Sequence, residues 1–299
     1  MLSPWPEPVM QSEPARSPTD ARIKMDIDGE SDRPPDDRME LTEGRTRPTE
    51  IHAASRWPRL GLDELWRYRA IGRVLVLRNL KVRYQQTLLG VAWVVLQPLA
   101  FVLVLSVVFT LLRGPRFGIP APVFFLSALV FFLPTAKILT EGTTSVLRNS
   151  ALVNQIYVPR ALLPLSSAVG TLVDMAILLG LFVLILPVFG YWPDPKYMLT
   201  PALAVIAFTA GTGLAYGLSA ANTRYRDVQL LVPFMTQIWF WLSPVFYPAQ
   251  IIPEEFQPLY YLVNPMALVV TASRWIFVDA PPPPAYAWVF AVVVSSLTL

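Results

Sequence analysis

The sequence contains no cysteine and one histidine, His52. Without cysteine there is neither a disulfide framework nor a thiolate metal site. A single imidazole in a polar stretch reads as solvated, and a zinc centre or a Ser-His-Asp triad needs one that is better placed. No Gly-x-x-x-x-Gly-Lys-Ser/Thr run occurs. The backbone cradle and lysine that hold nucleotide phosphates are therefore missing. Charge is also scarce: 15% of residues are charged and 54% are hydrophobic, where a soluble domain carries about a quarter charged.

The charge that exists is uneven. Residues 1–60 hold 9 Lys/Arg and 12 Asp/Glu, whereas residues 61–299 hold 15 and 9. An acidic front thus precedes a basic remainder. The later cations lie between apolar runs, where they act as membrane topology signals rather than as a nucleic-acid footprint. Residues 1–55 are rich in Pro, Asp, Glu, Arg and Ser and read as a disordered cytoplasmic tail, unable to bury enough surface to offset its ordering entropy. No basic-then-apolar signal peptide opens the chain.

Residues 56–87 alternate large apolar side chains with arginine and lysine at roughly helical spacing. They predict an amphipathic interfacial helix with cations toward anionic lipid. Residues 88–299 then read as an all-α membrane domain of about six transmembrane helices. The expected spans are 88–112, 121–140, 161–188, 200–221, 229–247 and a last one from 286. The first has 25 residues without charge, or about 37 Å, enough for a hydrocarbon core of about 30 Å. The last has 14 residues against the roughly 20 a span needs, so the sequence reads as one that continues. Residues 141–160 and 248–284 are expected to be connections. Ala207, Ala210, Gly211, Gly213, Ala215 and Gly217 are expected to permit close helix approach in the fourth span. With the amino terminus cytoplasmic, eleven cations fall inside and four outside (Arg113, Arg116, Lys196 and Arg274), as the positive-inside rule requires.

Three stretches carry more than hydropathy. The first is Arg78-Asn-Leu-Lys-Val-Arg-Tyr-Gln-Gln-Thr-Leu-Leu-Gly-Val-Ala-Trp-Val-Val-Leu-Gln-Pro98. The second is Val158-Pro-Arg-Ala-Leu-Leu-Pro-Leu165 with Asn149–Tyr157 before it. The third is Tyr225-Arg-Asp-Val228 leading to Phe240-Trp-Leu-Ser-Pro-Val-Phe-Tyr-Pro248 and Asn264-Pro-Met266. In this order they resemble the permease subunit of ABC exporters for polysaccharides and polyol phosphates, the exporters of O-antigen, capsule and teichoic acid. The resemblance covers about residues 62–299. The acidic front lies outside it. It implies a permease of the bacterial inner membrane, not an enzyme. It also implies a complex of two permeases with two copies of a separate ATPase that binds ATP and Mg²⁺, this chain binding no cofactor and no metal.

On that resemblance the inner loop offers a docking surface for the ATPase in Asn149, Leu152, Asn154, Gln155, Ile156, Tyr157 and Arg160, which mix apolar and amide contacts. The plain alternative is a connecting loop. The aromatic cluster Phe234, Trp239, Phe240, Trp241, Phe246 and Tyr247 offers stacking surfaces for sugar rings, against the alternative of an interfacial belt. Trp239 and Trp241 point to different helix faces, while Phe234 shares a stripe with Trp241 and Trp239 shares one with Phe246, so one stripe at most lines a path. Arg67, Arg73, Arg78, Lys81 and Arg83 could hold the pyrophosphate headgroup of a lipid carrier, or only anchor their helix. Asp174 is expected to make a structural hydrogen bond between helices. Lys137 and Glu141, four residues apart, are expected to pair with each other.

Two other functions fit less of the sequence. An exporter of a small lipophilic compound would use the same architecture. A membrane enzyme of glycan assembly would need clustered carboxylates. The only adjacent acid pairs after residue 60, Asp63-Glu64 and Glu254-Glu255, fall on opposite predicted sides, and no catalytic residue is assigned.

Overall fold

The computed structural model describes residues 62–85, 90–111, 118–155 and 157–298. The tail 1–55, His52, Arg113, Arg116 and Ile156 lie outside the described residues. Among the described residues every regular element is a helix. The order is α1 (Leu62–Arg67), α2 (Arg69–Gln85), α3 (Ala92–Leu111), α4 (Ala121–Arg148), α5 (Ser150–Gln155), α6 (Leu162–Ile185), α7 (Thr200–Arg224), α8 (Val228–Leu242), α9 (Gln257–Val263), α10 (Pro265–Val278) and α11 (Ala285–Thr298).

Four of these segments are long and apolar enough to cross a membrane: Ala92–Leu111, Ala121–Arg148, Leu162–Phe189 and Pro195–Arg224. A fifth is the bent pair α9 and α10, which meet at 106°. Helices α8 and α11 are shorter apolar helices. The chain is an all-α multi-pass membrane protein, with long helices at four of the six expected spans and the shorter α8 and α11 at the other two.

The axis of the bundle is α4. Its apolar half, Val123–Phe132, is buried on every face, as expected of a helix surrounded by others. Helix α7 packs on it through the small residues. A Cβ on Gly142 would come 2.7 Å from the Ala215 Cβ, and one on Gly211 would come 3.0 Å from Thr135 Cγ2. Ala207, Ala210, Gly213 and Ala215 are buried, while Gly217 faces outward. Helix α3 keeps Pro98 within it and leaves Trp93, Leu103, Val104 and Leu111 exposed, as a lipid-facing helix does.

Helix α2 runs beside the first half of α6, in the same direction. Gly72 stands against Leu162, Leu80 against Gly170, and Arg83 and Tyr84 against Asp174. Three turns of each helix therefore travel together. The first half of α2 carries exposed cations, and its last turn reaches into the bundle.

Two expectations about connections need correction. Residues 141–160 are mostly helical: α4 continues to Arg148, and α5 follows. The polar run misleads because its hydroxyls turn back onto the helix itself. Thr143 donates to the Leu139 carbonyl at 2.7 Å and Ser145 to that of Gly142 at 2.7 Å, which hides their polarity. Residues 248–284 contain α10, the most thoroughly enclosed helix, with Pro265–Arg274 buried at every position. It starts where Asn264 caps it, accepting from the Met266 amide at 3.1 Å, with Pro265 at the first helical position, where no amide hydrogen is needed.

Candidate functional site

At the end of the bundle where α4 finishes and α6 begins, α1 and α2 pack on the 157–163 segment. Leu75, Val158, Leu162 and Leu163 form a small apolar cluster, with Leu65, Tyr68, Ile71, Val146, Leu152 and Val153 around it. Tyr157 donates to Glu64 at 2.6 Å and packs against Tyr68, ring centroids 5.7 Å apart. The bond to the Glu64 carboxylate, followed by partial desolvation, raises the Tyr157 phenol above its ordinary value. Asn154, Gln155, Tyr157 and Arg160 remain exposed, whereas Leu152 turns into the cluster. Asn149 caps α4 by donating its side-chain amide to the Ser145 carbonyl at 2.8 Å and accepts from Arg78 at 3.4 Å. Of this set, Asn154, Gln155, Tyr157 and Arg160 thus lie exposed at this end, and Tyr157 and Asn149 are tied to α1 and α2 through Glu64 and Arg78.

Deeper along α2 and α6 is a charge cluster. Asp174, 3% exposed, accepts from Arg83 at 2.8 Å and from Lys137 at 2.7 Å. Tyr84 donates to its other oxygen, and the second guanidinium nitrogen of Arg83 meets Glu141. Two cations and two carboxylates therefore balance, with a phenol closing the last acceptor. This is how charges at membrane depth are stabilised. Asp174 does join helices, but through ion pairs rather than a lone hydrogen bond. Lys137 and Glu141 do not pair with each other: on α4 they point to different partners. Arg83 leaves the proposed headgroup set for a geometric reason, since both ends of its guanidinium are occupied inside the protein.

The aromatic cluster divides in two. Phe240 is 7% exposed and packs against Phe101, Phe132 and Phe246. Trp239 packs on Phe132 and donates its indole N–H to Asn264 at 2.9 Å. Phe234 and Trp241 are 65% and 59% exposed, and Trp241 stacks on Phe246 with centroids 4.5 Å apart. Tyr247 turns back to donate to the Leu242 carbonyl at 2.7 Å. The free faces belong to the Phe234–Trp241 stripe.

At the opposite end stands Arg274. Counted from sequence as an outer-loop cation, it is 3% exposed on α10. Its guanidinium donates to the carbonyls of Val245 at 2.9 Å, Tyr247 at 3.1 Å and Phe124 at 3.4 Å, and it lies 3.6 Å over the Phe124 ring. Carbonyl dipoles and a ring face replace water around the charge.

Sequence reasoning missed Arg274, Asn264 and Asn222. Asn264-Pro265 carries a readable signal, an Asn cap followed by Pro at the first helical position. Asn222 carries none: it donates to the Thr143 carbonyl at 3.2 Å and accepts from the Gln229 amide at 3.1 Å, tying α7, α4 and α8 together across 79 residues of sequence.

A family model described as ABC-2 type transporter matches residues 72–278. Among curated proteins, an O-antigen export system permease of Myxococcus xanthus is 30% identical over 238 residues, 79% of this chain and 91% of that protein. One of Klebsiella pneumoniae, also an O-antigen export system permease, is 27% identical over 69% of this chain and 79% of its own. A polysialic acid transport protein of Escherichia coli is 25% identical over 67% and 78% respectively.

Proposed function

The chain belongs to the ABC-2 type transporter family, and from that premise we propose that it is the transmembrane subunit of an ATP-driven polysaccharide exporter. Its cargo is a lipid-linked polymer of the O-antigen or capsule kind, moved from the cytoplasm across the bacterial inner membrane. The observation that carries this reading is the 30% identity to the Myxococcus O-antigen permease over 91% of that protein.

The working assembly is a homodimer of this chain with two copies of a separate ATPase, which holds ATP and Mg²⁺. The amino terminus is cytoplasmic. With Arg274 withdrawn from the outer loops, the excess of cations at the α2 end persists, and that end faces the ATPase. Docking there uses Asn154, Gln155, Tyr157 and Arg160, with Asn149 and Leu152 as their support. Because Tyr157 bonds to Glu64, a push from the ATPase on this surface reaches α1 and α2 directly. Arg67 and Lys81, exposed on α1 and α2, suit the phosphates of the lipid carrier or of the leaflet. Sugar rings pass along Phe234 and Trp241, whose flat faces give affinity without fixing sequence.

Deleting the gene and comparing surface polymer with polymer extracted from inside the cell tests the reading. Loss from the surface with accumulation on the carrier lipid inside is the expected result. An unchanged surface polymer, or polymer absent from both fractions with synthesis still supplied, overturns it.

A further inference from the structure

Between α2 and the opening turns of α6 lies an apolar groove of about 380 Å³. Leu65, Val76, Leu162, Leu165 and Val169 supply its walls, and Arg69 and Arg73 stand in its lining beside them. Gly72 also lines it, at a point where the helices are close: a Cβ there would come 3.1 Å from Leu162 Cδ1.

The chemistry of the groove is graded along its length. Since α2 and α6 run in the same direction, Leu65, Arg69, Arg73 and Leu162 mark its outer end, and Val76, Leu77 and Val169 its deeper end. The lining is hydrocarbon throughout, Arg69 and Arg73 giving it their stems, and the exposed charged heads of these two arginines rim the outer end. No carboxylate lines it. Arg69 rests over the Trp66 ring at 4.6 Å, a contact that leaves its N–H groups available. Arg73 makes no hydrogen bond or ion pair among the described residues. Arg83 and Arg78, by contrast, are both engaged within the protein. The one hydroxyl in the lining, Ser166, already donates to the Leu163 carbonyl at 2.8 Å, so water finds few partners inside. At about 30 Å³ for each water-sized group, the space takes roughly a dozen methylenes, most of one unbranched acyl chain.

We propose that one anionic phospholipid of the surrounding leaflet is a fixed component of this protein, its acyl chain in the α2–α6 groove and its phosphate on Arg69 and Arg73. The occupant is an amphiphile with the polarity of the groove itself, headgroup at the cationic end and tail toward the deep end. It is independent of the cargo. It fills the space that α2 and α6 leave between them, and so sets how firmly α2 sits beside the Asp174 cluster.

The test is native mass spectrometry of the full-length protein, extracted from its own membranes in mild detergent, with the retained lipids identified. One anionic phospholipid per chain is expected, enriched at least ten-fold over zwitterionic lipid relative to the membrane. Arg69→Gln with Arg73→Gln lowers retention at least ten-fold, the Lys pair at the same positions restores most of it, and Arg148→Gln, a cation outside the groove, leaves it unchanged. Val169→Phe removes the lipid with no change of charge. Retention that survives the double Gln variant, a zwitterionic lipid in the site, or a polyprenyl phosphate recovered in its place overturns the proposal. Retention unchanged in Val169→Phe overturns the placement of the chain.

Discussion

The α2 side of the bundle is organised around a buried carboxylate and the opposite end around a buried cation, and the partners differ in kind. At the α2 end, Arg83 and Lys137 are matched by the carboxylates of Asp174 and Glu141, groups on separate helices far apart in sequence. At the other end, Arg274 is matched by backbone carbonyls and the face of the Phe124 ring, with no carboxylate among its partners in the described residues. A side-chain network balances charge against charge, so a loss on one side can be offset by a loss on the other. A carbonyl cage has no counterpart to remove. One arrangement can be rebalanced by mutation; the other can only be kept or lost.

The largest effect is expected at Arg274. Arg274→Met strands the carbonyls of Val245 and Tyr247, while that of Phe124 keeps its bond from the Ser127 hydroxyl, and at about 1–3 kcal/mol for each buried group left unpaired the protein loses about 2–6 kcal/mol. A sharply lowered melting temperature in detergent is the readout, and no second side-chain substitution restores it. Asp174→Asn comes next. It leaves the cluster with one excess positive charge, a loss of about 2–3 kcal/mol after allowing for the partial exposure of its partners. Here a second change does help: Asp174→Asn with Lys137→Met recovers neutrality and should regain at least half of the fall in melting temperature. Failure of that rescue would mean that the two ends do not differ as described.

Asn264→Ala is smaller, about 1–2 kcal/mol. It removes the cap of α10 and the partner of the Trp239 indole, and a red shift in tryptophan emission on loss of that contact would show it. The smallest effect concerns Tyr157, on the exposed surface. Its phenol is raised above the usual 10.0 by the bond to Glu64. A raised value means that the folded form holds the proton more tightly. The contact is therefore fully present below pH 10 and is lost as pH rises beyond it. Hydrogen exchange in α1 should be flat from pH 6 to 9 once corrected for intrinsic rates. Above pH 10 it should accelerate, and Tyr157→Phe should abolish that step.

The spans were legible because a membrane demands long apolar helices, and α3, α4, α6 and α7 advertise themselves by length alone. The small-residue face of α7 was legible too, since close helix approach leaves a compositional trace. What could not be read was where the polar groups point. Thr143 and Ser145 look like loop residues until their hydroxyls are seen returning to their own helix. Arg274 looks like a topology signal because sequence records a cation but not the carbonyls around it. Arg83 and Asp174 stand 91 residues apart, and nothing local in either neighbourhood names the other. Asn154, Gln155, Tyr157 and Arg160 were legible as an exposed polar group because they are neighbours in sequence as well as on the surface.

The contact of Gly142 with Ala215 has a mechanical consequence. With only 2.7 Å between a would-be Cβ at 142 and the methyl of Ala215, that methyl alone separates the α4 and α7 backbones at this point, and Thr135 and Ile138 pack closely on Gly211. Neither helix can roll or slide on the other without collision, so the pair behaves as a single beam. Any stroke delivered at one end of the molecule must then be taken up in joints elsewhere, between that beam and α2, α3 or α8, where longer side chains leave room for travel.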